Sequence, residues 1–313
     1  MTRARLTVVT GKGGVGRSTI AAGLARLESS LGHRVLAIDA SAGNGLAAAL
    51  GRPLEPGVTT PVPLDDGGRT DGTLHALKLT TEAALDEYVR MTLRSPISPR
   101  SLGPVARIFD YVATAAPAVR EILTIGKIGH EVRRGPWDVV IVDGPATGHV
   151  VEMLDAPSAL GELVGIGPLA AESAWLTELL ADDESTSVWV VATPEELPVN
   201  EAVELADRID RVTPCTVDRI VANRLPARPG PDAESEVEAL LASEAPGARL
   251  AVAALTRARR ADTELDRLAG IGPDVLRVAE SSDPVGAARA AMATGAASAD
   301  GAGDDESPTG LAS

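Results

Sequence analysis

The sequence contains very little cysteine, methionine or lysine. Its 313 residues include one cysteine, Cys215, and four methionines. A single thiol excludes a disulfide framework, a cysteine-built metal site within the chain and an iron–sulfur cluster shared across a dimer. Lysine occurs only at positions 12, 78 and 127, so arginine carries nearly all of the positive charge. An arginine at any one position is therefore, by itself, only weak evidence of a functional role.

Basic charge and long apolar runs are also scarce. The chain has 29 basic and 44 acidic residues, which gives a formal net charge of −15. Nucleic-acid partners require a basic face, so this balance argues against them. No apolar run reaches the roughly 18 residues of a membrane-spanning helix, and no signal-peptide pattern opens the sequence. We therefore expect a soluble, cytoplasmic protein.

Strand and helix patterns alternate along most of the chain. This alternation predicts an α/β fold with a doubly wound, mostly parallel sheet of about seven or eight strands. The predicted strands cover residues 6–10, 34–39, 73–79, 137–143, 187–193 and 216–223, and weaker candidates lie at residues 249–253 and 275–278.

Two stretches interrupt this alternation. Residues 81–133 and 158–182 are predicted to be helical insertions that form a subdomain on one side of the sheet. Residues 294–313 are acidic, of low complexity and too poor in apolar groups to fold, which predicts a disordered tail. Residues 1–293 are therefore expected to form a single domain. The chain has no internal repeat, which excludes a fused protein with two equivalent halves.

A glycine-rich loop connects the first predicted strand to an apolar helix. The glycines let backbone N–H groups turn inward, and the helix N-terminus adds further donors, so the loop suits a phosphate group. Ser18 stands where such loops place a hydroxyl on Mg²⁺, and Thr19 is the next phosphate donor. A tight turn that binds nothing is the alternative, which nine matching residues in this context disfavour. The predicted nucleotide-binding residues of the loop are Gly11, Lys12, Gly13, Gly14, Val15, Gly16, Arg17, Ser18 and Thr19.

A second predicted element of the site follows the strand at residues 137–143. That strand ends in Asp143, whose carboxylate suits a hold on Mg²⁺ through a water molecule. Gly144 allows a backbone N–H to face the γ-phosphate. An aspartate at this place is also common as the cap of the next helix. The sequence thus predicts ATP and Mg²⁺ as cofactors, with Ser18 as a direct metal ligand and Asp143 as a ligand through water.

Two motifs resemble a known family. Lys12, at the front of the loop, is similar to the signature lysine of the deviant P-loop (deviant Walker A) ATPases. The run from Thr147 to His149 behind Asp143 resembles the second switch of the arsenite-pump and tail-anchored-protein-targeting ATPases. The resemblance covers residues 6–225. It implies ATP hydrolysis by a dimer in which Lys12 reaches the nucleotide of the partner subunit.

The resemblance also implies an adenine contact and a set of partners. In that family an asparagine at the position of Asn223 hydrogen-bonds the adenine edge, since a carboxamide donates and accepts at once; otherwise it is an ordinary turn residue. The implied partners are a second copy or a related subunit, and a client that is a protein or is associated with a membrane. A metalloid client is disfavoured because its capture needs several thiolates.

Two positions of the expected site differ from the family pattern. Arg17 stands where the loop usually has lysine, and its planar fork is not interchangeable with an ammonium. The first-switch aspartate that positions the attacking water corresponds either to Asp39 or to the position of Ser41, which is not a carboxylate. The candidate catalytic residues are Lys12, Arg17, Asp39 and Asp143. We expect a weak ATPase that completes, through Lys12, the site of a related active subunit.

Two other functions remain open from the sequence. An ATP-sensing pseudoenzyme without turnover fits the same motifs. A partition or positioning ATPase predicts a basic patch or a basic amphipathic tail helix, and the acidic C-terminal region offers neither.

His149 has a metal-ligand interpretation as well. We expect it to order the second switch instead, because the sequence suggests no neighbouring ligand.

Overall fold

The computed structural model describes residues 4–64, 71–85, 117–163, 166–272 and 274–300. Its strands are β1 (Leu6–Gly11), β2 (Arg34–Asp39), β3 (Thr59–Val62), β4 (Thr73–Lys78), β5 (Val139–Ala146), β6 (Thr186–Ala192), β7 (Val217–Leu225) and β8 (Asp274–Ala279). They form one sheet in the order β3-β4-β2-β5-β1-β6-β7-β8. All neighbours pair in parallel except β3 and β4, which are antiparallel.

Helices cover both faces of this sheet. They are α1 (Arg17–Ser30), α2 (Gly45–Leu50), α3 (Pro117–Arg134), α4 (Thr147–Leu163), α5 (Pro168–Ala181), α6 (Glu196–Val212), α7 (Ala233–Ala242), α8 (Ala248–Ala269) and α9 (Pro284–Asp300). None of the helices in the described part of the chain combines the length and the apolar character that crossing a membrane requires.

Two apolar cores lie on opposite faces of the sheet. In β1, Val8 belongs to one core and Val9 to the other, because successive side chains of a strand point to opposite faces. Helices α1, α2 and α9 cover the face of Val9, whereas α3, α4, α6 and α8 cover the face of Val8. Burial of apolar surface on both faces is what holds a parallel sheet together. The predicted doubly wound α/β fold is confirmed.

The strand predictions fail at two places. Residues 249–253 are not a strand but part of α8. The short apolar run is ambiguous by itself, and its helical period appears only with the buried Ala258, Ala261 and Leu265 further along. The sequence also misses β3, whose four residues include Pro61 and lie at the edge of the sheet. Proline is tolerated in such edge strands.

The predicted helical insertions correspond partly to the described helices. α3 falls in the first insertion, residues 81–85 are also helical, and residues 86–116 of that insertion lie outside the described residues. The second insertion contains the end of α4 and all of α5. At the C-terminus, α9 extends as far as Asp300, into the predicted tail. Alanine-rich composition favours a helix there, and residues 301–313 lie outside the described range.

Candidate nucleotide site

The glycine-rich loop lies at the carboxyl edge of the sheet. β1 ends at Gly11 and α1 begins at Arg17, so the predicted strand, loop and helix are all present. Gly16 caps α1 with a φ of +98°, a left-handed conformation that glycine adopts without strain. The loop therefore presents backbone donors and the positive end of the α1 dipole at one place.

Asn223 supports the loop from β7, the second strand from β1 in the sheet. Its side chain is buried, and its Nδ2 donates a hydrogen bond of 2.8 Å to the carbonyl oxygen of Val15. A Cβ atom on Gly16 would lie 2.2 Å from the same Nδ2. The amide thus fixes the shape of the loop. Its predicted contact with adenine remains a prediction.

Two buried carboxylates lie beside the loop. Asp39 at the end of β2 and Asp143 in β5 are register partners, and both are 0% exposed. Ser18 Oγ donates a hydrogen bond of 2.6 Å to Asp143 Oδ2. The other oxygen, Asp143 Oδ1, is buried without a hydrogen-bond partner in the described part of the chain. Burial raises the pKa of Asp143 to about 6; the hydrogen bond from Ser18 opposes this rise and the negative charge of Asp39 adds to it.

Lys78 is the site residue that the sequence does not single out. It is the last residue of β4, it is 8% exposed, and its Nζ lies 3.1 Å from Asp39 Oδ2. The same ammonium donates to the carbonyl oxygen of Ser41 at 2.7 Å and to that of Gly43. Lys78 thus neutralises one of the two carboxylates and fixes the chain that follows β2. A lysine at the end of a predicted strand, in a sequence with three lysines, is the signal that would have identified it, because lysine is rarely found in buried strands unless it is paired.

Ser41 and Lys78 together occupy the carboxylate of Asp39. The backbone N–H and the Oγ of Ser41 donate to Asp39 Oδ1 at 3.0 and 2.7 Å. Asp39 Oδ2 faces the Lys78 ammonium without a well-aligned hydrogen bond. In this arrangement Asp39 does not present a free oxygen to a water molecule.

Arg17 connects the loop to the segment after Asp143. Its Nη1 donates a hydrogen bond of 2.6 Å to the carbonyl oxygen of Gly144. Burial lowers the pKa of the Arg17 guanidinium, while the negative charges of Asp143 and Asp39 oppose that shift. The group stays charged at physiological pH, because an arginine pKa remains far above it. In the structure the guanidinium of Arg17 is therefore already bound to the carbonyl oxygen of Gly144.

Lys12 lies apart from the carboxylates. Its Nζ forms an ion pair with Glu201 Oε1 of α6, and the two side chains are 38% and 35% exposed. The structure therefore brings the loop, Asp39, Asp143 and Asn223 together at one edge of the sheet, and it directs Lys12 to the surface.

The second-switch motif follows β5 without a loop. Ala146 is the last residue of β5, Thr147 is the first residue of α4, and Thr147 has a φ of +23°. Such a conformation is uncommon for a residue with a branched Cβ and stores local strain. His149 Nδ1 lies 3.2 Å from Glu152 Oε2, and a carboxylate oxygen of Glu121 lies close to both residues. The expectation that His149 has no neighbouring ligand is therefore wrong.

Comparison with known proteins agrees with this geometry. The sequence model of the anion-transporting ATPase family matches residues 4–171. This chain belongs to the anion-transporting ATPase family. It is 32% identical over 247 residues to the ATPase BagA of Mycobacterium tuberculosis, covering 75% of this chain and 71% of that protein.

Two eukaryotic ATPases are similar to this chain at lower identity. The ATPase GET3C of Arabidopsis thaliana is 26% identical over 219 residues, which is 64% of this chain and 53% of that protein. The ATPase get3 of Schizosaccharomyces japonicus is 28% identical over 175 residues, which is 51% of this chain and 49% of that protein. The resemblance found in the sequence motifs is thus confirmed at the level of the family.

The residues of this anion-transporting ATPase family member fit Mg²⁺ and a nucleotide in two respects. The glycine loop offers N–H donors to phosphates, and Asp143 Oδ1 is a buried acceptor to which no described residue donates, next to the hydroxyl of Ser18. A cation held by Ser18 and, through water, by Asp143 would satisfy that oxygen. Arg17 fits less well, because its guanidinium is committed to Gly144.

Proposed function

We propose that this chain binds Mg²⁺–ATP through residues 11–19 and hydrolyses it slowly, as one subunit of a dimer that responds to an unknown client. The observation that carries this proposal is the Ser18–Asp143 hydrogen bond of 2.6 Å beneath the glycine loop, with the second carboxylate oxygen lacking a hydrogen-bond partner among the described residues. A hydroxyl and an unsatisfied carboxylate are the two protein groups that typically hold a nucleotide-bound Mg²⁺ at this place. Bound Mg²⁺ would neutralise charge on the β- and γ-phosphates.

Slow turnover follows from the contacts of Arg17 and Asp39. Phosphoryl transfer depends almost entirely on positioning and on charge stabilisation. Arg17 would have to leave the carbonyl of Gly144 before its guanidinium meets a phosphate. Asp39 would have to leave Lys78 or Ser41 before it orients the water that attacks the γ-phosphorus. Each rearrangement adds to the barrier of the step that releases ADP and phosphate.

The dimer proposal rests on the surroundings of Lys12. Its ion pair with Glu201 is substantially exposed, and pairs of this kind contribute only about 0–1 kcal/mol. A partner's phosphate can therefore replace Glu201 at little cost. Lys12 is intact while Arg17 is altered, which favours a division of labour: this chain completes the site of a related subunit more effectively than its own.

A first experiment measures ATP affinity and turnover of the purified chain, alone and mixed with a related subunit that carries lysine at the position of Arg17. We expect weak turnover alone and a marked increase in the mixture. Arg17→Lys should increase ATP affinity and turnover of the isolated chain, because a compact ammonium fits beneath the β- and γ-phosphates better than the planar guanidinium that is hydrogen-bonded to Gly144. Arg26→Lys is the matched control, since Arg26 also lies on α1 and donates to a backbone carbonyl, that of Leu50.

The outcomes separate the proposal from its alternatives. Robust turnover by the isolated chain that survives Lys12→Ala contradicts the division of labour. ATP binding with no turnover in any mixture supports an ATP-sensing pseudoenzyme, which the occupied carboxylate of Asp39 also favours. Failure to bind ATP in the presence of Mg²⁺ contradicts the proposed function as a whole.

A further inference from the structure

A second group of possible metal ligands lies outside the proposed nucleotide site. One ligand atom each from Glu121 on α3 and from His149 and Glu152 on α4 lie within 4.8 Å of one another. His149 and Glu152 are three residues apart, so they share one face of α4. Their side chains are 68% and 58% exposed, which leaves them free to adjust.

Glu121 distinguishes this group from an ordinary surface ion pair. The residue is 7% exposed, and its Oε2 is buried without a hydrogen-bond partner in the described part of the chain. A buried carboxylate oxygen without a donor costs free energy that a bound cation removes. His33 and Glu28 provide the contrast, because they form a histidine–carboxylate pair at 2.9 Å that belongs to no cluster of three such ligands among the described residues.

The chemistry of the three side chains selects the class of ion. One imidazole and two carboxylates suit a divalent transition metal, whereas Mg²⁺ prefers oxygen ligands alone. Around Zn²⁺ such ligand atoms lie at most about 4 Å apart, since each bond is roughly 2.0–2.2 Å long. Small rotations of the exposed His149 and Glu152 toward the fixed Glu121 bring the group to that size. Three protein ligands leave one position open to water.

We propose that Glu121, His149 and Glu152 bind one divalent transition-metal ion, represented by Zn²⁺, between α3 and the first turns of α4. Glu121 and His149 also line a cavity of about 250 Å³ whose wall includes Ser41 and Lys78. The ion would therefore connect a helix of the predicted helical subdomain to the segment that follows Asp143. This inference concerns the three ligands and does not depend on the proposed ATP binding.

The test is Zn²⁺ binding by the untagged full chain, without nucleotide, in competition with a chromophoric chelator. We expect one equivalent per chain that a large excess of Mg²⁺ does not displace. Glu121→Gln and His149→Ala should each weaken binding at least about tenfold. His33→Ala is the matched control and should bind Zn²⁺ like the unmodified chain. Zn²⁺ should also raise the Tm of the unmodified chain and of His33→Ala, but not that of His149→Ala.

Three results would overturn the proposal. The first is the absence of a Zn²⁺ equivalent in the unmodified chain. The second is unchanged affinity in Glu121→Gln, which would mean that only a surface histidine binds the ion. The third is loss of the ion in Cys215→Ala or in His33→Ala, which would place it elsewhere. Because His149 is exposed, His149→Ala is expected to fold, and its unfolding curve without metal verifies this.

Discussion

Asp39 and Asp143 face each other across neighbouring parallel strands, in register and completely buried. Two carboxylates that are both removed from water repel one another strongly, and each needs a compensating positive charge. Lys78 supplies one directly, at 3.1 Å from Asp39. Arg17 supplies a second from the loop, since its positive charge lowers the pKa of Asp143. The carboxyl edge of the sheet therefore balances two buried carboxylates against a buried lysine and a partly buried arginine, and each of these residues can be tested.

Removal of the Lys78 ammonium should destabilise the fold strongly. Lys78→Met leaves Asp39 buried beside Asp143 with the hydrogen bonds from Ser41 but without its cationic partner, and breaking a buried ion pair typically costs about 3–5 kcal/mol. The measurement is the free energy of unfolding in urea at pH 7. A loss below about 1 kcal/mol would contradict the assigned role of Lys78.

A double variant provides the control for that prediction. Asp39→Asn combined with Lys78→Met removes both charges, so it should recover much of the lost stability. Lys127→Met removes a different ammonium, one paired with Glu131, whose second oxygen still accepts from Trp137 at 2.8 Å. Its effect should be smaller than that of Lys78→Met.

The stability of the chain should depend on pH through Asp143. Its folded-state pKa of about 6 lies above the ordinary value of 3.8, so the folded chain retains the proton to higher pH than the unfolded chain. The contribution of this group to the free energy of unfolding therefore falls as pH rises from about 4 to about 6. Asp143→Asn should gain about 1–3 kcal/mol relative to the unmodified chain over that range.

Urea unfolding of both proteins between pH 4 and pH 8 measures this difference, and parallel curves would contradict it.

Mg²⁺-dependent nucleotide binding should change in the opposite direction. The ionised carboxylate is the form that holds the water of a metal ion, so affinity should increase as pH rises through about 6. Asp143→Asn should lack that increase.

Lys12 should be dispensable for folding and required in a dimer. Lys12→Ala and Glu201→Gln both remove the exposed ion pair, so each should change the free energy of unfolding by less than about 1 kcal/mol. Turnover in the mixture with a related subunit should be lost in Lys12→Ala only, because Glu201→Gln leaves the ammonium in place. Equal loss in both variants would argue for a role of the ion pair itself.

The loop should tolerate a methyl group at one glycine and not at another. Gly16→Ala combines a left-handed φ with a Cβ placed 2.2 Å from Asn223 Nδ2. It should lower the free energy of unfolding by more than about 1 kcal/mol. Gly13→Ala is the matched control, since a Cβ atom there would meet no other described residue within 4 Å apart from its chain neighbours, and its effect should stay within about 0.5 kcal/mol. Similar effects of both changes would contradict the described loop geometry.

The sequence predicts those parts of the site whose signals are local. The glycine loop, the strand that ends near Asp143 and the strand that ends near Asn223 are each recognisable within about ten residues, because strand, turn and helix preferences act over such distances. The central strands are apolar throughout, as buried parallel strands require. Alternation of these patterns with helices was sufficient to predict the doubly wound sheet.

The remaining features depend on contacts between distant segments. Lys78 meets Asp39 only because β4 and β2 pair in register, and Glu121 meets His149 only because α3 packs beside α4. No spacing in the sequence predicts either of these two contacts. Asn223 shows a similar limit, since its hydrogen bond to Val15 joins residues that are far apart in the chain.

The direct passage from β5 into α4 has a mechanical consequence. Because no loop residue separates Ala146 from Thr147, no flexible segment lies between β5 and α4 to absorb a displacement of the chain at Gly144. The 17 residues of α4 extend about 25 Å from that point, and Pro157 interrupts the helical hydrogen bonding part-way along. The end of β5 and the first part of α4 should therefore move as one rigid unit. We expect a displacement of the chain beside Asp143 to be transmitted along α4 as far as Pro157, where the helix can bend.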